Sequence, residues 1–309
     1  MTDKLKEIRK NSQRTLVVTT YTTEQLFNEA LYREEKNHKR WRFYIPMCDP
    51  VNFAVRKAPK IDPWLLGVLL GDGSLTKSPM TVTNTEKDII DRLTKTVALY
   101  GCGVSADKDG KTYRITYNRR VGSPVVEAIK CYNLVCCAVG KFIPDDYKSG
   151  TIETRINILK GLLDTDGHTS ATRKSLLEFD TISKQLAIDV QFIVQSLGGT
   201  ATIYYIPNRG RTMADGSRIP SQDCYRVYVK SKVLLISSDK HLSRYKESNV
   251  PPHRSIQKIE RIADQAGQCI TVADEEQLYL CNDCIVTHNS EVLGVLPAVF
   301  PRARILMST

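Results

Sequence analysis

Hydrophobic positions run almost unbroken through two short stretches of this 309-residue chain. Leu65-Leu66-Gly67-Val68-Leu69-Leu70 leads into Gly71-Asp72-Gly73, and Leu159-Lys160-Gly161-Leu162-Leu163 leads into Asp164-Thr165-Asp166-Gly167. A helix that is apolar on nearly every side is stable only when buried. Each stretch therefore predicts a short buried helix with an acid and a glycine at its end. Alone, such a stretch reads as a core helix followed by a turn. Two copies, with Asp72 and Asp166 94 residues apart, imply a pseudo-symmetric body with both carboxylates near its axis.

The repeat continues past the motif. Thr83-Asn84-Thr85 precedes a helical pattern of Ile89, Ile90, Leu93 and Val97 that stops at Gly101. Asp180-Thr181-Ile182-Ser183 precedes a matching pattern of Leu186, Val190, Ile193, Val194 and Leu197 that stops at Gly198, aligned without a gap at an offset of 97. Alternating runs predict strands in both halves, Tyr113 to Asn118 and Tyr225 to Lys230, so internal repetition organises the chain. With Tyr113, Ile115 and Tyr117 inward, Arg114, Thr116 and Asn118 share the opposite face; Arg226, Tyr228 and Lys230 do the same in the second half. Such a face suits base edges and phosphates, the alternative being an ordinary solvated sheet face. Lys111, Arg119, Arg120, Arg173, Lys174, Arg209 and Arg211 fall in adjoining loops as phosphate-contact candidates.

The paired motifs resemble those of LAGLIDADG (dodecapeptide, DOD-type) homing endonucleases. The resemblance implies an α+β fold of two αββαββα halves whose motif helices pack together, each half offering a saddle of antiparallel strands to double-stranded DNA. Gly67, Gly71 and Gly161 would let the helices approach closely. Asp72 and Asp166 map onto the family's catalytic metal-binding pair, holding Mg²⁺ or another divalent cation, which favours oxygen ligands and promotes phosphodiester hydrolysis. Lys141, in Gly140-Lys141-Phe142-Ile143-Pro144, matches the family's assisting lysine. Helix phase turns Asp164 away from Asp166, which makes it the lesser participant.

Toward the C-terminus, Ser255 to Glu260, Cys269 to Val272 and Leu278 to Leu280 read as short strands that end in Ile285-Val286-Thr287-His288-Asn289-Ser290. This resembles the closing splicing block of inteins. The resemblance implies that Asn289 attacks its own carbonyl to form a succinimide, that His288 assists by proton transfer, and that Ser290 is the accepting nucleophile. The other end breaks the pattern: Met1-Thr2-Asp3-Lys4 holds no Cys or Ser nucleophile, and no Thr-x-x-His block precedes the repeat. The expectation is an intein remnant of all-β (Hint) type that has lost its first half, with a separate N-terminal fragment supplied in trans as the alternative. After Ser290, Glu291 to Phe300 and Ala303 to Thr309 read as an apolar helix and a strand, resembling a phage terminase large subunit or related P-loop ATPase cut at its phosphate loop. The glycines and lysine needed for nucleotide are missing, so no ATPase activity is expected.

A net charge of +10 and a pI near 9.1 suit a polyanion partner but add little alone. Nine cysteines without a signal peptide or apolar span indicate a reducing cytosol, in a bacterial or phage-infected cell, with no membrane partner. Cys281-Asn282-Asp283-Cys284 has zinc-knuckle spacing but lacks a second ligand pair. The expected organisation is a monomer: residues 1–60 a splicing remnant and connection, 61–245 the endonuclease with halves 61–150 and 151–245, 246–289 the closing splicing region, and 290–309 an extein fragment. The rivals are a catalytically silent DNA-binding remnant and a C-terminally self-cleaving or trans-splicing fragment.

Overall fold

The computed structural model describes residues 2–10, 13–35, 38–55, 57–76, 78–170, 172–207, 211–212, 218–219, 222–263, 272–273, 275, 278–288 and 303–307. Its centre is a pair of helices, Pro63–Gly71 and Ile152–Thr165, packed along each other. Asp62 caps the first, accepting from the Leu65 amide at 2.9 Å ahead of Pro63, whose fixed φ suits a first helical turn. Thr151 caps the second, accepting from the Thr154 amide at 3.1 Å. The first helix is buried from Trp64 to Leu70, as its unbroken apolar run requires. The second starts well before its apolar run: its opening turns bury Thr154 and Arg155, a polar stretch that the hydrophobic pattern alone does not mark as core.

Both glycine positions on the facing sides are steric necessities. A Cβ on Gly161 would lie 2.9 Å from the Gly67 Cα, and one on Gly67 would lie 2.8 Å from the Gly161 Cα, with backbone as the obstacle in each case. Dispersion and apolar burial between Trp64, Leu65, Leu69, Ile158, Leu159 and Leu162 then hold the two helices, at about 1.5–3 kcal/mol per large side chain.

Each motif helix feeds one half of αββαββα form. The first half continues through strands Gly73–Ser74 and Thr81–Thr83, helix Lys87–Ala98, strands Cys102–Ala106 and Thr112–Tyr117, and helix Pro124–Cys131. The second continues through strands Gly167–Thr169 and Leu177–Thr181, helix Lys184–Ser196, strands Thr200–Ile206 and Cys224–Lys230, and the short helix Asp239–Leu242. Both sheets are antiparallel with the same spatial order, first, second, fourth, third strand. A single core of buried side chains spans both halves. A small hairpin, Arg211–Thr212 with Arg218–Ile219, interrupts the second half between its third and fourth strands.

Chain from both flanks meets in one five-stranded sheet, ordered Ala303–Met307, His253–Arg261, Phe43–Pro46, Thr2–Lys10, Gln13–Tyr21. The sequence reading sets 290–309 apart, whereas the Ala303–Met307 strand runs antiparallel to His253–Arg261. Leu26, Phe43, Ile45 and Ile256 form a small separate core under this sheet. The connecting segment is clipped to the repeat body by the buried Arg155, which donates to Ser196 O at 3.0 Å and to Val51 O. Among the described residues no helix is long and apolar enough to cross a membrane.

Candidate active site and the sheet face

Asp72 and Asp166 are the C-terminal caps of the two motif helices, their amides donating to Val68 O at 3.0 Å and Leu162 O at 2.9 Å. The close packing of the helices brings these ends together: the Asp166 Oδ2 lies 3.4 Å from where a Cβ on Gly71 would stand. Each carboxylate therefore sits at the negative end of a helix dipole, beside a second carboxylate, an arrangement that repels itself unless a cation joins it.

Lys141 supplies part of that positive charge. Its buried ammonium donates to Gly71 O at 3.0 Å and Gly73 O at 2.9 Å, the carbonyls that flank Asp72. Burial lowers its pKa, while Asp166 and Asp72 act in the opposite direction. Asp72 accepts from the Asn84 amide at 2.6 Å; burial raises its pKa, partly offset by Asn84, Lys141 and Lys240. The Asp166 carboxyl is pushed up to about 7, first by burial and then by the charge of Asp72, with Lys141 opposing and Asp180 adding. No side-chain hydrogen bond reaches Asp166 among the described residues, and Thr181 occupies the pseudo-symmetric position of Asn84.

The two halves are unequal in a second way. Among the described residues, one half alone carries a buried lysine against its motif-helix carbonyls, Lys141.

Asp164 has a different task. It accepts from Ser237 N at 2.7 Å, Ser238 N at 2.9 Å and Trp64 Nε1 at 3.2 Å. Its carboxylate staples the segment ahead of the Asp239–Leu242 helix to both motif helices.

On the first sheet Ile115 is buried and Tyr113 and Tyr117 half-buried, while Arg114, Thr116, Asn118, Arg119 and Arg120 are exposed. Arg114 is paired with Asp107 at 2.7 Å. On the second sheet Val227 and Val229 are buried, and Arg226, Tyr228 and Lys230 face outward. Arg226 makes a two-pronged bond to Asp180 at 2.7 and 2.6 Å and reaches Glu178 at 3.4 Å. Those acids raise its pKa and hold its guanidinium flat on the sheet. Arg173 and Lys174 are exposed in the loop between the Gly167–Thr169 and Leu177–Thr181 strands of this sheet.

Arg173, Thr200, Thr202, Tyr204, Arg226 and Lys230 line a 580 Å³ cavity on that face. Burial and the nearby Arg173 lower the Lys230 pKa, as expected of cations crowded together to meet an anion. Sequence reasoning overlooked Tyr204, more than half exposed on this face beside Tyr228, and Lys240, which acts on Asp72 across the repeat. The exposed Tyr204 could have been found from strand alternation in Thr200 to Ile206; Lys240 carried no local signal. Among the splicing candidates, His288 ends the strand Ile285–His288, paired with Leu278. Asn289, Ser290, residues 291–300 and Arg209 lie outside the described residues.

The chain thus forms a pseudo-symmetric α+β body with two acids at the ends of packed motif helices. Residues 153–248, the second half, match the family model described as LAGLIDADG-like domain. The chain is 25% identical over 236 residues to the replicative DNA helicase DnaB of Mycobacterium intracellulare, covering 74% of this chain and 35% of that protein. It therefore spans about a third of the length of that curated relative. Among solved structures it is similar to I-DmoI in complex with DNA and Mn, at 14% identity and a TM-score of 0.36, covering 56% of this chain and 91% of that one. It is also similar to the N-terminal LAGLIDADG domain of WhiA, at 14% identity and a TM-score of 0.35, covering 58% and 80%.

Proposed function

We propose that the repeat body is a metal-dependent endodeoxyribonuclease that lays double-stranded DNA across its two sheets and cuts one strand with each motif acid. The observation that carries this reading is the meeting of Asp72, Asp166 and the buried Lys141 ammonium at the ends of two packed helices. Two hard carboxylates fit a divalent cation such as Mg²⁺. Among the described residues no group of three or more His, Cys, Asp or Glu gathers, which leaves further positions to water and phosphate oxygens. When bound, such a cation supplies an acidified water and charge stabilisation for phosphodiester hydrolysis. The chain's residues do the rest: Asn84 orients Asp72, Lys141 balances the paired acids, and Arg173 and Lys230 engage phosphates. The test is incubation with Mg²⁺ and a randomised duplex library, followed by sequencing of cut ends. A single enriched, staggered site supports the proposal, and binding without cutting favours a silent DNA-binding protein.

We further propose that this nuclease sits inside an intein, acting as a cytoplasmic monomer. Support comes from the five-stranded sheet, whose strands Phe43–Pro46 and His253–Arg261 come from either side of the repeat body and pair with each other. In this reading Asn289 cyclises with help from His288 and releases the segment from Ser290 onward, a fragment of a terminase-like ATPase. Intact-mass measurement of the purified chain tests it: a product lacking Ser290 to Thr309 supports the reading, and an unchanged mass after prolonged incubation counts against it.

A further inference from the structure

Outside the repeat body, cysteines and a buried arginine gather where the Phe43–Pro46 strand runs into the connecting segment. Met47 bridges Ile285 in antiparallel register, which brings the adjoining Cys48 and Cys284 opposite each other with their thiols hydrogen-bonded. Cys48 Sγ also donates to Gln195 O at 3.7 Å. Asp283 and Cys284 both have left-handed backbone, at φ 61° and 54°. Such strain in non-glycine residues persists only where the surroundings impose it. Arg254 does so here, donating to Asp283 O. Arg254 is 5% exposed, and its Nη1 has no hydrogen-bond partner among the described residues. An unmet buried donor is costly, and the field of this one falls on both thiols.

We propose that Cys48 and Cys284 form a reversible disulfide, a redox modification site that fastens the Leu278–His288 hairpin to the connecting segment. The hydrogen bond from Cys284 brings the Cys48 thiol down to about 7, against its burial and with help from Arg254, while Cys284 is raised. The oxidant is a small-molecule disulfide. Cys48 thiolate attacks one of its sulfurs and expels a thiolate, leaving a mixed disulfide. Cys284, deprotonated in its turn, attacks the Cys48 sulfur and expels the second thiolate. Two protein protons end on two released thiols, and the small disulfide takes up the two electrons. Both cysteines are free thiols in the structure.

The test uses the full chain treated with glutathione disulfide, then alkylated, digested without reduction and mapped by mass spectrometry. A Cys48–Cys284 linked peptide that disappears with reduced glutathione is expected. In Cys284→Ser, a glutathione adduct held on Cys48 is expected. In untreated protein, Cys48 alkylation should reach half its maximal rate near pH 7, and Arg254→Gln should move that midpoint upward. A Cys281–Cys284 link in its place, or no link while exposed Cys131 is modified, overturns the proposal. A Cys48 midpoint in the ordinary thiol range, between about 8 and 9, overturns the assignment of Cys48 as the attacking thiolate.

Discussion

Asp166→Asn should stabilise the metal-free protein, because the site holds this acid against its own preference. An aspartate in the unfolded chain titrates near 3.8, and in the fold Asp166 is pushed up to about 7. The folded state therefore binds more protons across that interval, so stability is retained below it and lost as pH rises from about 4 through 7. Three pH units at about 1.4 kcal/mol each give a ceiling of roughly 4 kcal/mol, and the partial exposure of Asp166 halves this to about 2 kcal/mol. Asparagine keeps the shape and cannot ionise. In EDTA at pH 8 the variant should melt roughly 4–6 °C above wild type, and at pH 5 the gain should fall below about 1 kcal/mol. Millimolar Mg²⁺ should close the gap by stabilising wild type alone. Thermal denaturation at the two pH values, with and without Mg²⁺, reads all of this. A variant no more stable than wild type at pH 8, or a gain independent of pH, would refute the reasoning.

Three further outcomes follow from packing and charge. Gly161→Ala places a methyl against the backbone of the Pro63–Gly71 helix and should cost about 3 kcal/mol or more in urea unfolding, whereas Gly110→Ala, with open space around it, should cost about 1 kcal/mol through its left-handed φ. Asp164→Ala leaves the Ser237 and Ser238 amides unmet and should cost about 3 kcal/mol while leaving the Mg²⁺-dependent rise in melting temperature intact. Arg173→Ala and Lys230→Ala should each lower the salt slope of binding to a nonspecific 30-base-pair duplex by about one, as read by fluorescence anisotropy; an unchanged slope removes them from the DNA face.

Much of the repeat body is written in local pattern. Its motif helices announce themselves because an unbroken apolar run has only one stable environment, and its paired helices because their apolar residues recur every three or four positions. What stayed hidden depends on partners distant in sequence. Arg155 is polar and lies in the core because Ser196 and Val51 satisfy it. Arg226 looks like a free phosphate contact in its own strand, and Asp180 and Glu178 on the neighbouring strand change that. Asn84 is a residue in a turn until the fold sets it over Asp72. The long helix Ile152–Thr165 exceeds its motif because its opening turns use capping and buried polar contacts rather than hydrophobic spacing.

The central claim is that Asp72 and Asp166 jointly hold the metal that cuts DNA. The most direct measurement is Mg²⁺-dependent cleavage of a randomised duplex library by wild type, Asp72→Asn and Asp166→Asn, with duplex binding recorded in parallel. Wild type should yield one enriched staggered cut, lost in both variants, each retaining duplex affinity within about threefold. Cutting that survives either substitution, or a wild type that binds and never cuts with Mg²⁺ or Mn²⁺, would contradict it.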